Sequence, residues 1–282
     1  MNWCRQAGMI CRQNFRKWAA DYRVWIVGIF LLILVRIFTR SIDELCRMTD
    51  TPATPWIFPL LFTGYNKLLL FLPLLLLFCN APFIDDNQPY ILIRSGRSAW
   101  CAGQILYILA GTGLYFLFLI LATILFHLPH MTFEAGWGKV LTTLTTDAFF
   151  QQMEHPTILS KHIVTYFTPP VAMWYSFFLS WLAGSFLGLL MYVVNFLTHT
   201  RGMGVFAAAF FLLADAAYAK SYIRLPPLPV SWCSLDYIDI GGKTYYPSIS
   251  FVLIGYAVLI GGLITLAFLT TRRQTIDVVP QI

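Results

Sequence analysis

Charge is what this chain has least of. Asp, Glu, Lys and Arg make up 11% of its 282 residues, against roughly 25% in ordinary soluble domains, and so few cannot clothe a water-facing surface. A soluble globular protein is excluded. Cysteine is also sparse: Cys4, Cys11, Cys46, Cys79, Cys101 and Cys233 form no C-x-x-C pair, which argues against a structural zinc site. No H-E-x-x-H, no G-x-S-x-G, no paired aspartates and no Glu-Glu pair occur inside an apolar run, so an intramembrane hydrolase lacks its nucleophile or base. Gly241-Gly242-Lys243-Thr244 has the ending of a phosphate-binding loop, but the glycine such a loop needs five positions before its last glycine is Tyr237. Nucleotide chemistry, if any, belongs to another polypeptide.

What is abundant is apolar surface. Hydrophobic residues reach 58%, with 24 Phe and 9 Trp, and one helix crosses a bilayer with about 20 mainly apolar residues. Six apolar spans are expected, at 24–39, 56–78, 100–126, 171–197, 205–218 and 249–269. The fifth is short and carries Asp215 at its outer end. The fold class is therefore all-α: a single polytopic transmembrane domain of six helices. On the side holding both termini lie ten basic residues in about 64 positions, and on the other seven in about 90, which places both termini in the cytoplasm of a cell membrane. Trp18, Trp25 and Trp100 fall near one interface, and Trp56, Trp137, Trp174 and Trp232 near the other. The net charge of +6 follows from this loop asymmetry and implies no nucleic-acid partner.

Residues 1–23 predict an amphipathic helix on the inner leaflet: Trp3, Ala7, Ile10, Cys11, Phe15, Trp18 and Tyr22 share one face, and Arg5, Arg12, Arg16 and Arg23 cluster opposite. The basic N-terminus runs into its apolar stretch with no small-residue cleavage site, which reads as an uncleaved first span. In 127–170, Phe133, Trp137, Phe149, Phe150, Ile163, Tyr166 and Phe167 suggest helices resting on the outer face. Pro226, Pro227, Pro229 and the glycine pair at 241–242 suggest a re-entrant hairpin before the last span. No internal repeat argues for an inverted-repeat transporter.

Three ionisable groups sit in or beside spans: Arg36, Lys67 and Asp215. A charge at the hydrocarbon centre costs roughly 2.5–3.5 kcal/mol on insertion scales, so each should be paired, snorkelling or facing water. The long stems of Arg36 and Lys67 allow snorkelling; Asp215 needs a polar partner, and Arg36 at similar depth is the expected one. Gly184 and Gly188 permit close helix approach, within the chain or between subunits. His127, His130, His155 and His162 have loop or interfacial positions as their simplest reading, and no metal site is expected. Cys46 and Cys233 both fall on the outer side.

The cytoplasmic segment joining spans two and three runs from Asp85-Asp86 through Tyr90 to Arg94-Ser95-Gly96-Arg97-Ser98-Ala99-Trp100, long for a connector that neither folds nor binds. With Thr168-Pro169-Pro170 opening span four, Arg201-Gly202 in a short inner loop and Pro229-Val230-Ser231-Trp232-Cys233 before span six, it resembles the permease subunits of ABC-2-type exporters, of the small six-span kind found in Gram-positive bacteria. The resemblance implies a linker, carried by Asp85, Asp86, Tyr90, Arg94 and Arg97, that docks on cytosolic ABC ATPase subunits. It also implies a second permease copy or paralogue and a surround of membrane lipid. On this reading the chain has no catalytic residue and binds no cofactor itself, ATP and magnesium being held by the partner ATPase. Cargo would be amphipathic or hydrophobic: a peptide, a lipid or a drug. Two other classes stay open: a membrane enzyme acting on lipid or peptide with His127, His130, Glu154 and His155 as its polar cluster, and a non-pumping immunity or assembly protein.

Overall fold

The computed structural model of the chain describes residues 3–83, 88–146, 160–200, 202–220, 228–239 and 246–273. Among them the fold is all-helical, without strands. The helices are α1 (Trp3–Arg16), α2 (Tyr22–Phe38), α3 (Arg40–Thr49), α4 (Asn66–Phe78), α5 (Gln88–Ser95), α6 (Arg97–His127), α7 (Gly138–Thr146), α8 (Lys161–Tyr166), α9 (Pro169–Thr198), α10 (Met203–Lys220) and α11 (Ile249–Arg273).

Local chemistry sets the boundaries. The Asp21 carboxylate accepts the Arg23 backbone N–H at 3.0 Å and starts α2. At Thr39 the chain leaves the helix, bends by 44° and resumes as α3; this amphipathic continuation lies beyond the expected end of the first span. The expected second span is broken as well. Residues Phe58–Phe62 form a 3₁₀ turn, Gly64 takes a left-handed φ of 54°, and α4 follows with 13 residues. Pro169 and Pro170 open α9, where a proline's missing N–H costs nothing.

Among the described residues, three helices are long and apolar enough to cross a membrane: α6, α9 and α11. The bent pair α2–α3 makes a fourth if taken as one span, and α4 and 203–217 of α10 are shorter apolar helices. Burial orders them. Two-thirds of the apolar window of α9 is covered, 44% of that of α6 and 17% of that of α11, so α9 is the central helix and α11 the most peripheral of the three. Gly184 and Gly188 explain how α9 fits: a Cβ on Gly184 would lie 2.9 Å from Phe116 Cε2 and 3.0 Å from Leu74 Cδ2, and one on Gly188 2.6 Å from Ile108 Cγ2. Both glycines serve close approach to α4 and α6 within this chain.

Each end of the bundle carries its own layer. At the first, α1 lies along the start of α6 and touches α5. At the other, α3 meets α7, and α7 meets α8; Thr54 Oγ1 donates to Trp137 O at 2.8 Å, Trp56 Nε1 to Glu134 O at 2.8 Å, and Trp137 Nε1 to Phe167 O at 2.9 Å. Asn195 ties helix ends together. Its Nδ2 donates to Ala81 O at 2.7 Å and Cys79 O at 3.3 Å, beyond α4, while its Oδ1 accepts Gly204 N at 2.7 Å and Gly202 N at 3.2 Å, at the turn into α10.

Candidate functional site

Two places in the bundle hold polar chemistry that apolar packing alone does not require. The first is a buried ion pair. Lys67 stands at the second position of α4, where an unpaired cation is disfavoured by the positive end of the helix dipole, and its side chain is 0% exposed. Asp215, from α10, compensates: its carboxylate lies 3.0 and 3.1 Å from Lys67 Nζ. Ser231 Oγ donates to the same carboxylate, and the Tyr237 ring faces the ammonium, 4.7 Å from its centroid. The 228–239 segment thus closes over the pair with two 3₁₀ turns, Ser231–Cys233 and Leu235–Tyr237. Tyr256 Oη of α11 donates to Pro229 O at 2.6 Å, and Trp232 packs on Gly255, where a Cβ would lie 2.7 Å from the indole. Asp239 N donates to Pro247 O at 3.1 Å, so the segment returns on itself before α11; residues 240–245, with the glycine pair, lie outside the described residues.

The expected Arg36–Asp215 pair is therefore wrong: Asp215 takes Lys67. Arg36 instead bonds Asp43 across the bend between α2 and α3, seven residues on, with its side chain about half exposed. Where the chain turns immediately after an arginine, the nearest carboxylate is the local one. Lys67 does not snorkel either, since its ammonium is held inside.

Beside this pair, on the same end, Asp236 sits among Ser160, His162 and Lys67. Burial pushes its carboxyl up from the ordinary range, against the opposing effects of a Ser160 hydrogen bond and of nearby His162 and Lys67. His127, part of the enzyme reading, has its Nδ1 on Thr123 O at 2.8 Å and its Nε2 3.2 Å from Asp43 Oδ1. Glu154 and His155 lie outside the described residues, as do Phe149 and Phe150, and no cluster of three metal-ligating side chains forms among those described. The six cysteines are free thiols, with Cys46 and Cys233 both buried.

The second place is the linker at the opposite end. Residues 88–95 fold into α5, which ends at Gly96, where a φ of 76° turns the chain sharply into α6. Tyr90 and Ile93 are 71% and 83% exposed, and Arg94 is exposed beside them. The helix is braced from behind, Gln6 Nε2 of α1 donating to Arg94 O at 3.4 Å, and Trp3 Nε1 of α1 donates to Ser98 Oγ in the first turn of α6 at 3.3 Å. Arg97 belongs to α6 and spends its guanidinium within the chain, donating to Arg272 O at 3.2 Å at the end of α11. Asp85 and Asp86 lie outside the described residues. Part of the α1 face that the sequence assigns to lipid meets protein: Ala7 and Ile10 are buried together with Asn14, Asn14 Nδ2 donates to Gln104 Oε1 at 3.3 Å, and Gly103 gives Ile10 the room to approach, while Trp3 and Tyr22 stay exposed. Trp18 Nε1 extends the contact, donating to Tyr107 Oη at 2.6 Å.

Against known protein families, curated proteins and solved structures, the chain finds no match.

Proposed function

We propose that this chain is the membrane subunit of an ATP-driven exporter of the ABC-2 kind, providing the path for cargo and linking it to hydrolysis on a separate cytosolic ATPase. The observation that carries the reading is α5. A free-standing connector would fold its few apolar side chains away from water, yet α5 presents Tyr90, Ile93 and Arg94 outward while α1 holds it from behind. An exposed aromatic beside an arginine, on a short helix joined by a glycine turn to the longest helix of the bundle, is suited to pass a push from a docked partner along α6.

The proposal takes six crossings, with both termini cytoplasmic in a bacterial cell membrane. Lengths are compatible with that count. At 1.5 Å per residue α2 and α10 reach about 26–27 Å, and α4 about 20 Å, extended by roughly 10 Å if the 3₁₀ turn before it belongs to the same crossing; the hydrocarbon core is about 30 Å thick. The Lys67–Asp215 pair then lies at the broken point of the second crossing, where it joins α4, α10 and the 228–239 segment.

Substituting Tyr90 and Arg94 by alanine tests the reading. Transport and cargo-stimulated ATP hydrolysis should fall together, with membrane insertion and thermal stability of the isolated chain unchanged. Full activity in the double variant, or loss of the folded chain, would contradict it.

A further inference from the structure

A groove of about 540 Å³ runs along the outside of the bundle between α2 and α6, floored by Leu77 of α4. We infer that it holds one acyl chain of an anionic phospholipid, whose phosphate is bound by the basic segment joining α1 to α2. This inference needs the bundle to stand in a bilayer and does not depend on the ATPase reading.

The lining admits hydrocarbon only. Gly28, Leu32, Leu117 and Leu121 are among its walls, and the few polar atoms at its edge are already used. Tyr115 Oη donates to Leu70 O at 2.5 Å, Trp18 Nε1 to Tyr107 Oη, and Trp25 Nε1 to Ala19 O at 3.1 Å. A polar ligand would find no partner there. The groove extends over Val24 to Leu32 of α2 and Leu114 to Leu121 of α6, about 10–12 Å at 1.5 Å per residue, which fits within one leaflet of about 15 Å. Its length and apolar lining suit a single acyl chain.

Charge names the headgroup. Trp18 and Trp25, side chains that favour the level of lipid headgroups, mark one end of the groove. Around them Arg16 and Arg23 fall within eight residues. The one acid among them, Asp21, is engaged in capping α2. Arg23 lies over the Tyr22 ring, with Nη1 3.5 Å from Cys79 Sγ, so its guanidinium is held beside the start of α2.

Gly28 supplies the test, because a Cβ there meets nothing within 4 Å and a Gly28→Phe ring enters the groove from α2. The full chain is equilibrated in mixed phosphatidylglycerol and phosphatidylcholine nanodiscs, extracted into mild detergent, and its retained lipid counted by mass spectrometry of the intact complex. The wild-type protein should keep one phosphatidylglycerol in preference to phosphatidylcholine. Gly28→Phe should lose it at least tenfold, and Leu121→Trp, filling the same groove from α6, provides the second obstruction should the first variant fail to fold. Arg16→Gln with Arg23→Gln should cut the preference for phosphatidylglycerol by about fivefold per charge while leaving an acyl chain bound. Equal retention of both lipids by the wild type, unchanged retention in both groove-filling variants, or a photo-cross-link from position 117 to another polypeptide rather than to lipid would overturn the inference.

Discussion

Breaking the Lys67–Asp215 pair from one side should cost far more than removing it whole. Lys67 is 0% and Asp215 3% exposed, so neither charge has water to fall back on. Lys67→Met keeps the stem and deletes the ammonium, leaving the carboxylate with Ser231 alone; a buried charge stripped of its partner costs about 3–5 kcal/mol. Asp215→Asn leaves the ammonium facing Tyr237 at 4.7 Å, and a desolvated cation on an aromatic face recovers up to about 2 kcal/mol. That variant should therefore lose less, about 2–4 kcal/mol. With both substitutions no charge stays buried, and stability should return to within about 1 kcal/mol of wild type. The cycle, measured by equilibrium unfolding in mixed detergent micelles, should give a coupling of at least about 2 kcal/mol. Effects adding to within about 0.5 kcal/mol would refute the argument, and so would an Arg36→Gln variant that couples to Asp215 in place of Lys67.

Other outcomes follow from the same geometry. Asn195→Leu should destabilise the bundle by about 2–4 kcal/mol, since it strands two carbonyls beyond α4 and two N–H groups at the turn into α10; a thermal melt unchanged from wild type would contradict this. Asp236 has its folded pKa raised by burial, so the folded state holds its proton more tightly than the unfolded one, and stability is lost as pH rises through the folded pKa. Wild type and Asp236→Asn should accordingly melt together below the ordinary carboxylate range, with Asn gaining as pH rises above it; a difference that does not change with pH would exclude the effect, and His162 and Lys67 are the charged neighbours to hold fixed. In a background without native cysteines, an impermeant thiol reagent should label a cysteine at Phe133 from outside intact cells and spare one at Tyr90, and labelling at 90 would reverse the orientation.

Composition made the membrane character legible, and apolar runs placed most of the long helices. The break at Thr39 was not legible: the apolar run stops there, but α3 continues with alternating charge, and a hydropathy reading sees a loop where the backbone remains helical. Neither was the partner of Asp215. Arg36 and Lys67 lie at similar depth in their spans, and depth says nothing about which helices are neighbours; the local signal, Asp43 just past the end of the first span, favoured the pairing found. At the N-terminus, sequence periodicity cannot tell lipid from a neighbouring helix. Asn14, buried on Gln104, was the overlooked clue, because a polar residue set among the apolar positions of such a helix asks for a protein partner. Asn195 escaped notice for the converse reason: near the end of an apolar span a lone polar residue resembles an interfacial one.

The central claim is that α5 serves a separate ATPase, and stoichiometric capture tests it most directly. The chain, expressed with its native genomic neighbours and purified under mild detergent, should retain a cytosolic polypeptide bearing a complete phosphate-binding loop in one-to-one ratio, and Tyr90→Ala with Arg94→Ala should release that polypeptide while the membrane chain stays folded. Recovery of the folded chain without any ATPase would contradict the account.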